Sequence, residues 1–307
     1  MSTGWPALPY EAWQPTLDTL HAHTQALGKL AVALAAPEPQ LQHAALRLTA
    51  RGWETGLLPA PDGAGALVAA LDLHAHEAVV EHCDGRARRV PLRPDRAAGD
   101  VFRAVIAAAR ELVGPFDVDP RPQETPWTTP LDEDAEHSAY DEGRVADYLA
   151  AATHAALVLA EVRAPFRGRS TPVNAWWGSF DLAVNLYSGR PADPPRDDFI
   201  TRNSMDTEEI AIGWWPGDSR YPHAAFFGYA FPAADGFGDA ALPLDGVRWD
   251  EPLGLYLLDW DDVRETDDPH RAAVDFARAV VRHACSTCNW DRTLAASLDG
   301  DPPPVVY

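Results

Sequence analysis

The sequence predicts an α+β protein, with antiparallel sheets and flanking helices that stand apart from the strands rather than alternating with them. Three observations carry this prediction. Short β-rich runs follow one another across tight-turn signals such as PDGAG and DGR, which join antiparallel neighbours. Helical periodicity is confined to long stretches that precede or follow those runs. The order helix, strands, helix also occurs twice, so the chain reads as two similar halves, 1–115 and 141–307, joined by a Pro-rich acidic linker at 116–140. An old duplication would leave such an order. With 307 residues, 46% of them hydrophobic, there is apolar material for one large core or two smaller ones.

Each element follows from its local pattern. In TLDTLHAHTQALGKLAVALA, at about 100° per residue, Leu20, Leu27, Leu30, Ala31 and Leu34 share one arc, which predicts a helix with that face buried. His21, Gln25 and Lys29 recur every fourth residue and form a polar stripe beside the arc. HAALRLTARGWETG, GALVAALDLHAHEAVVEHC and ARRVPLR then read as strands of an antiparallel meander. AAGDVFRAVIAAARELVG is a helix stopped by Gly114. The run PFDVDPRPQETPWTTPLDEDAEHSAYDEG is too rich in Pro, Asp and Glu to sustain a helix or a central strand. A helix follows in RVADYLAAATHAALVLAEVRAPF, then strands in WWGSFDLAVNLY, EIAIGWW, AAFFGYAF and LGLYLLDW. The last helix, HRAAVDFARAVVRHAC, begins where Asp268 can cap and Pro269 takes the first helical position.

Composition limits the function. A formal net charge of -21 repels a phosphate backbone, so no nucleic-acid partner is expected. The first residues lack a basic segment followed by an apolar run, and no stretch reads as roughly 20 apolar residues of a membrane span, so a cytoplasmic location without membrane association is the expectation. Three cysteines in a chain this long fit a reducing compartment with no disulfide framework. CSTC falls toward the end of a helix, where the dipole raises thiol pKa, so it reads as an incidental pair and not a redox motif. GxSxG, Walker and HExxH patterns do not occur, and GFGDAA opens no helix. In DLHAH, read as strand, Asp72, His74 and His76 point to one side, but the outer two would be roughly 13 Å apart, too far to share an ion. No cofactor and no metal are expected, and nothing in the pattern specifies an oligomeric state.

The chemistry-bearing residues concentrate in two places. Lys29 is the only lysine in the chain, among 25 basic residues, which singles out the stripe it shares with His21 and Gln25. In WWGSFDLAVNLY, strand alternation places Trp176, Gly178, Phe180, Leu182, Val184 and Leu186 on a core face and Trp177, Ser179, Asp181, Ala183, Asn185 and Tyr187 on the other. The second indole pair divides in the same way, with Trp214 in the core set and Trp215 opposite, beside Ala211 and Gly213. Small residues leave room for a ligand against a sheet, and flanking indoles can be its walls. His21, Gln25, Lys29, Trp177, Ser179, Asp181 and Trp215 are therefore the candidate ligand-binding residues. Asp134, His137, Tyr140 and Asp141 offer an acid/base set if their segment folds over that pocket.

The stretches TLHAHTQALGKLAVAL, LTARGWETGLLP, TPVNAWWGSFDLAVNLYSGR, IGWWPGDSRYPHAAFFGYAFP and NWDRTL occur in this order, and together they resemble the uncharacterised bacterial domain-of-unknown-function family numbered 5996. The resemblance spans nearly the whole chain, is most specific at GSFDLAV with its SGR, and implies an identity without a mechanism. Three readings use the same residues: binding of a small polar, flat or sugar-like ligand; an enzyme with His21 or His137 as general base; and a partner surface of exposed indoles. The first leads. A histidine hydrogen-bonded to a carboxylate would favour the second.

Overall fold

The computed structural model describes residues 4–297, which belong to an α+β fold of two compact units. The first unit comprises Leu8–Ala150 and Ala175–Asp181, and the second Met1–Ala7, Ala151–Asn174 and Leu182–Tyr307.

The first unit opens with α1 (Tyr10–Leu34), longer at its start than the periodic stretch. Leu20, Leu27, Leu30 and Ala31 are buried as the arc predicts, and so are His21, Gln25 and Lys29 on the polar stripe. Burial on both flanks makes α1 the central element of the unit. Six short strands follow: β1 (Arg47–Thr49), β2 (Gly52–Glu54), β3 (Leu58–Pro59), β4 (Ala66–Asp72), β5 (Glu77–His82) and β6 (Ala87–Pro91). They form one antiparallel sheet in the order β1-β2-β4-β5-β6, with β3 also on β4. Helix α2 (Ala98–Val113) packs on β4, β5, β6 and α1, and Gly114, at φ 85°, lets its amide reach back to the Arg110 carbonyl.

Beyond Asp72, the last residue of β4, DLHAH is not strand. The register pairs Asp72 with Glu77, leaving Leu73–His76 as the hairpin turn. One Asp72 carboxylate oxygen accepts the amides of His74 and Ala75, and His76 takes a left-handed φ of 53°. The shared side that alternation would impose is lost: His74 Nε2 meets the Ala50 carbonyl and His76 Nδ1 the Tyr140 hydroxyl.

The segment 115–141 holds no helix or strand, as its prolines require, yet it belongs to the first unit and not to a free linker. Polar side chains of α1 satisfy backbone groups that an irregular segment cannot satisfy itself. Gln25 brackets Gln123, and the Thr16 hydroxyl accepts the Asp141 amide. Leu131 and Asp134 are buried. The division between units consequently falls between Ala150 and Ala151, inside α3 (Glu142–Arg163), and not at 116–140. Helix α3 is long and apolar enough to match a membrane span by length and composition, which the sequence reading did not anticipate. Val145, Tyr148 and Leu149 in the first unit, and Val158, Leu159 and Val162 in the second, are buried, as in a core helix.

A second antiparallel sheet runs in the order β11-β12-β10-β9-β8-β7, from β7 (Asn174–Trp176), β8 (Asp181–Pro191), β9 (Thr207–Trp215), β10 (Ala225–Phe231), β11 (Arg248–Asp250) and β12 (Leu255–Asp259), with helix α4 (Phe199–Ser204) between β8 and β9 in the chain. Its register stacks Val184, Ile212 and Gly228 across three strands. On that face lies α6 (Pro269–Thr287), which follows the short α5 (Trp260–Arg264); a Cβ at Gly228 would sit 2.7 Å from Val280 Cγ1, so glycine sets how closely helix and sheet approach. Asp268 caps α6 by accepting the Arg271 amide, with Pro269 in the first turn, as predicted. The short α7 (Arg292–Ser297) ends the described residues.

Candidate functional site

The turn 177–181 in the first unit gathers most of the candidate residues. Strand alternation does not extend through WWGSFD, because β7 stops at Trp176 and β8 starts at Asp181, with a turn at 177–180 between them. The assignment of the first indole pair reverses as a result. Trp177 is buried at 6% exposure, while Trp176 is only half-buried and Ser179 is exposed.

Helix α1 accounts for the burial of Trp177. Gly28 leaves a gap on the helix into which the indole lies; a Cβ there would come within 2.0 Å of ring atom Cδ2. The indole Nε1 donates to the Ala44 carbonyl at 3.0 Å, and Lys29 Nζ stands 5.7 Å from the ring centroid as a cation–π partner. Burial lowers the Lys29 pKa, Asp119 opposes that shift and Arg121 adds to it. Lys29 thus supports Trp177 through its cation–π contact.

His21 and Gln25 hold the turn through its backbone. His21 Nε2 lies 3.0 Å from both the Trp177 and the Gly178 carbonyl, so this nitrogen carries the proton and donates to them. Gln25 Nε2 donates to the Gln123 carbonyl at 2.9 Å and to the Trp177 carbonyl at 3.2 Å, while Gln25 Oε1 accepts the Gln123 amide at 3.0 Å. One buried amide therefore ties 123 to 177. His21 is occupied as a donor at Nε2, which removes that nitrogen as a general base.

Phe180 and Glu124 show what this clamp maintains. Both take a left-handed φ of 57°, a conformation costly for a bulky side chain. The Phe180 ring is held in a stack, with ring centroids 4.9 Å from His21 and 5.2 Å from Trp53 and from Tyr148; Trp53 Nε1 donates to the Tyr148 hydroxyl. The Glu124 carboxylate fills the space over Gly178, where a Cβ would come within 2.2 Å of its Oε2. Asp181 is buried at 8% exposure, and the Ser179 hydroxyl donates to its carboxylate. Burial, reinforced by the Glu124 charge, pushes the Asp181 carboxyl up to about 7. No cationic side chain figures among the groups that set this value.

Two further acid/base candidates, Asp134 and His137, lie beside this site. Trp127 connects them to it, with centroids 5.0 Å from His21 and 4.3 Å from His137. His137 Nδ1 donates to Asp134 Oδ2 at 2.7 Å. Asp141 accepts the Arg144 amide at the start of α3, and Tyr140 meets His76. Trp215 belongs to the second unit, where its ring lies 5.5 Å from Tyr221 and 5.4 Å from Phe227; Trp214 is fully buried, in keeping with its core assignment.

Sequence reasoning missed Glu124, Phe180 and Trp127. Left-handed φ at Glu or Phe has no residue signature, but the isolated Gly28 within a helical pattern was a readable sign of close packing. Among the described residues no group of three or more His, Cys, Asp or Glu is placed to hold a metal ion.

The model of a family of unknown function, DUF5996, matches residues 5–297. No curated protein and no solved structure matches the chain.

Proposed function

We propose that this chain, which belongs to the family of unknown function DUF5996, binds a small polar ligand rich in hydrogen-bond donors at the turn 177–181 of its first unit. The observation that carries this reading is the pair of left-handed non-glycine residues, Phe180 and Glu124, on two segments that meet over Gly178. Backbone strain of this kind persists where surrounding structure over-determines it, and it concentrates at ligand sites. Here the surrounding structure is the Gln25 amide, the His21 imidazole and the three-ring stack on Phe180.

The chemistry of the ligand follows from the side chains that line the turn. His21 and Gln25 are committed to backbone carbonyls, so they position the turn and do not contact the ligand. Asp181, Glu124 and Ser179 form an acceptor-rich set, in which the Glu124 charge helps hold the Asp181 carboxyl above its ordinary range. Hydroxyl groups of a sugar-like molecule, or an amine, are donors that match these acceptors, and Trp127 offers an aromatic flank.

The test is a thermal-shift screen of the full chain against aminosugars, polyols and polyamines. A saturable rise in Tm that Asp181→Asn and Glu124→Gln abolish, and that Lys29→Met retains, is the expected outcome. Hits that survive in both carboxyl variants would place binding elsewhere and refute the assignment.

A further inference from the structure

We propose that Asp134 and His137 form an acid–base centre that hydrolyses small neutral acyl esters or lactones, with Nε2 of His137 as the working nitrogen. This goes beyond ligand binding at the turn 177–181 and rests on different residues.

The imidazole is fixed from two sides. Asp134 Oδ1 accepts the amides of Glu136 at 3.0 Å and His137 at 3.1 Å, which orients the carboxylate and leaves Oδ2 for His137 Nδ1 at 2.7 Å. The Trp127 ring packs against the imidazole, 4.3 Å away between centroids and tilted by 44°. Asp134 is buried and the His137 side chain is 12% exposed, so the pair is shielded yet reachable. With Nδ1–H donated to a carboxylate, the neutral imidazole has its lone pair on Nε2. Among the described residues nothing hydrogen-bonds that nitrogen.

The charges around the ring agree with this role. Burial opposes charging His137, but the hydrogen bond and charge of Asp134, together with Asp18 and Glu136, raise its pKa above the ordinary histidine value. Burial raises the Asp18 carboxyl on α1, against the His137 charge. Buried His23 is the other titratable group coupled to this pair. The carboxylates of Asp134, Asp18 and Glu136 disfavour anionic substrates, which is why the proposal takes an uncharged acyl compound.

The reaction balances with water alone. Nε2 takes a proton from water as the water oxygen forms a bond to the acyl carbon. The tetrahedral intermediate then collapses, the bond to the leaving oxygen breaks with its electron pair, and the Nε2 proton passes to that oxygen. One water is consumed, and an acid and an alcohol are released. Asp134 is a positioning residue: it fixes the tautomer and stabilises the imidazolium.

The experiment is hydrolysis of p-nitrophenyl acetate by the full chain, compared with free imidazole at equal concentration. A rate well above imidazole, lost by about 100-fold in His137→Gln, is expected. Asp134→Asn, with its fold verified by circular dichroism, should reduce the rate and move the inflection of the pH–rate profile to lower pH. Should His137→Gln not fold, carbethoxylation of the native protein, mapped by mass spectrometry, replaces it: activity must fall in step with modification of His137. A wild-type rate no greater than imidazole, or full activity in folded His137→Gln or in carbethoxylated protein, overturns the proposal.

Discussion

Replacing Gly28 with Ala is the sharpest test of how α1 and the turn are joined. In a helix interior Ala is favoured over Gly by about 1 kcal/mol, so propensity alone predicts a more stable protein. The structure predicts the opposite sign. The added Cβ would lie 2.0 Å from Trp177 Cδ2 and 2.1 Å from Cε2, inside the indole and not at the end of a flexible chain. Relieving that overlap costs about 1–3 kcal/mol as overpacking. It also pulls Nε1 from the Ala44 carbonyl, a buried 3.0 Å bond whose loss costs about 1–3 kcal/mol. Net of the propensity gain, about 3 kcal/mol should be lost, or a fall of roughly 6–12 °C in the Tm of a unit of about 150 residues. Thermal and urea denaturation measure it, with Trp177→Leu and the double variant completing a cycle. With the indole gone, the Gly28→Ala substitution should become neutral or stabilising. A single Gly28→Ala variant as stable as wild type would show that Trp177 does not lie in the Gly28 gap, and the clamp described above would fail with it.

Burial pushes both Asp181 and Glu209 up to about 7. Because their folded pKa exceeds the unfolded value near 4, they contribute most below about pH 4, and that contribution is lost as pH rises to 7. Asp181→Asn and Glu209→Gln should each flatten the decline in stability between pH 4 and 7, measured by urea melts; an unchanged slope in both would contradict their burial as carboxyls. His23 has the reverse sign: burial lowers its pKa to about 3, so its contribution is present above 6.5 and lost as pH falls towards 3. His23→Gln should blunt acid destabilisation in that window, and an unaltered acid limb would refute it. Asp268→Ala removes the acceptor for the Arg271 amide and should cost about 1 kcal/mol in chemical denaturation. In thiol titration Cys83, which is exposed, should react first; Cys285, pushed up to about 12 by burial, should react only on unfolding, and early labelling at Cys285 would contradict its placement.

The architecture was legible wherever a single period governed a long stretch. The apolar arc of α1, the Gly114 stop of α2 and the Asp268–Pro269 start of α6 rest on local patterns that the structure contains, whereas the strand from Leu182 onward is present but buried on both faces and not on one. Short interruptions of a period were not legible. DLHAH and WWGSF are flanked by β-rich residues and read as strand, but Asp72 turns the first by capping two amides, and the second turns on Phe180 in a conformation its side chain disfavours. Each break displaced every side chain that alternation had placed around it, which is why Trp176 and Trp177 exchanged roles.

The segment 115–141 shows the same limit from the other side. Its composition excludes regular structure, and that exclusion holds; what composition cannot convey is that an irregular segment can be ordered by a neighbour's side chains. A polar stripe on a helix ordinarily faces water, yet on α1 it meets backbone that has no ladder partner of its own. Gln25 matches Gln123 donor to acceptor and acceptor to donor, and Thr16 takes the Asp141 amide. The singular Lys29 belongs to the same logic, since a compact ammonium stands over Trp177 at a buried position, with Asp119 and Arg121 acting on its charge. The residues picked out as ligand contacts on α1 are therefore those that hold the turn 177–181 and the segment 115–141 in place, whereas Asp181, Ser179 and Nε2 of His137 take no part in that construction.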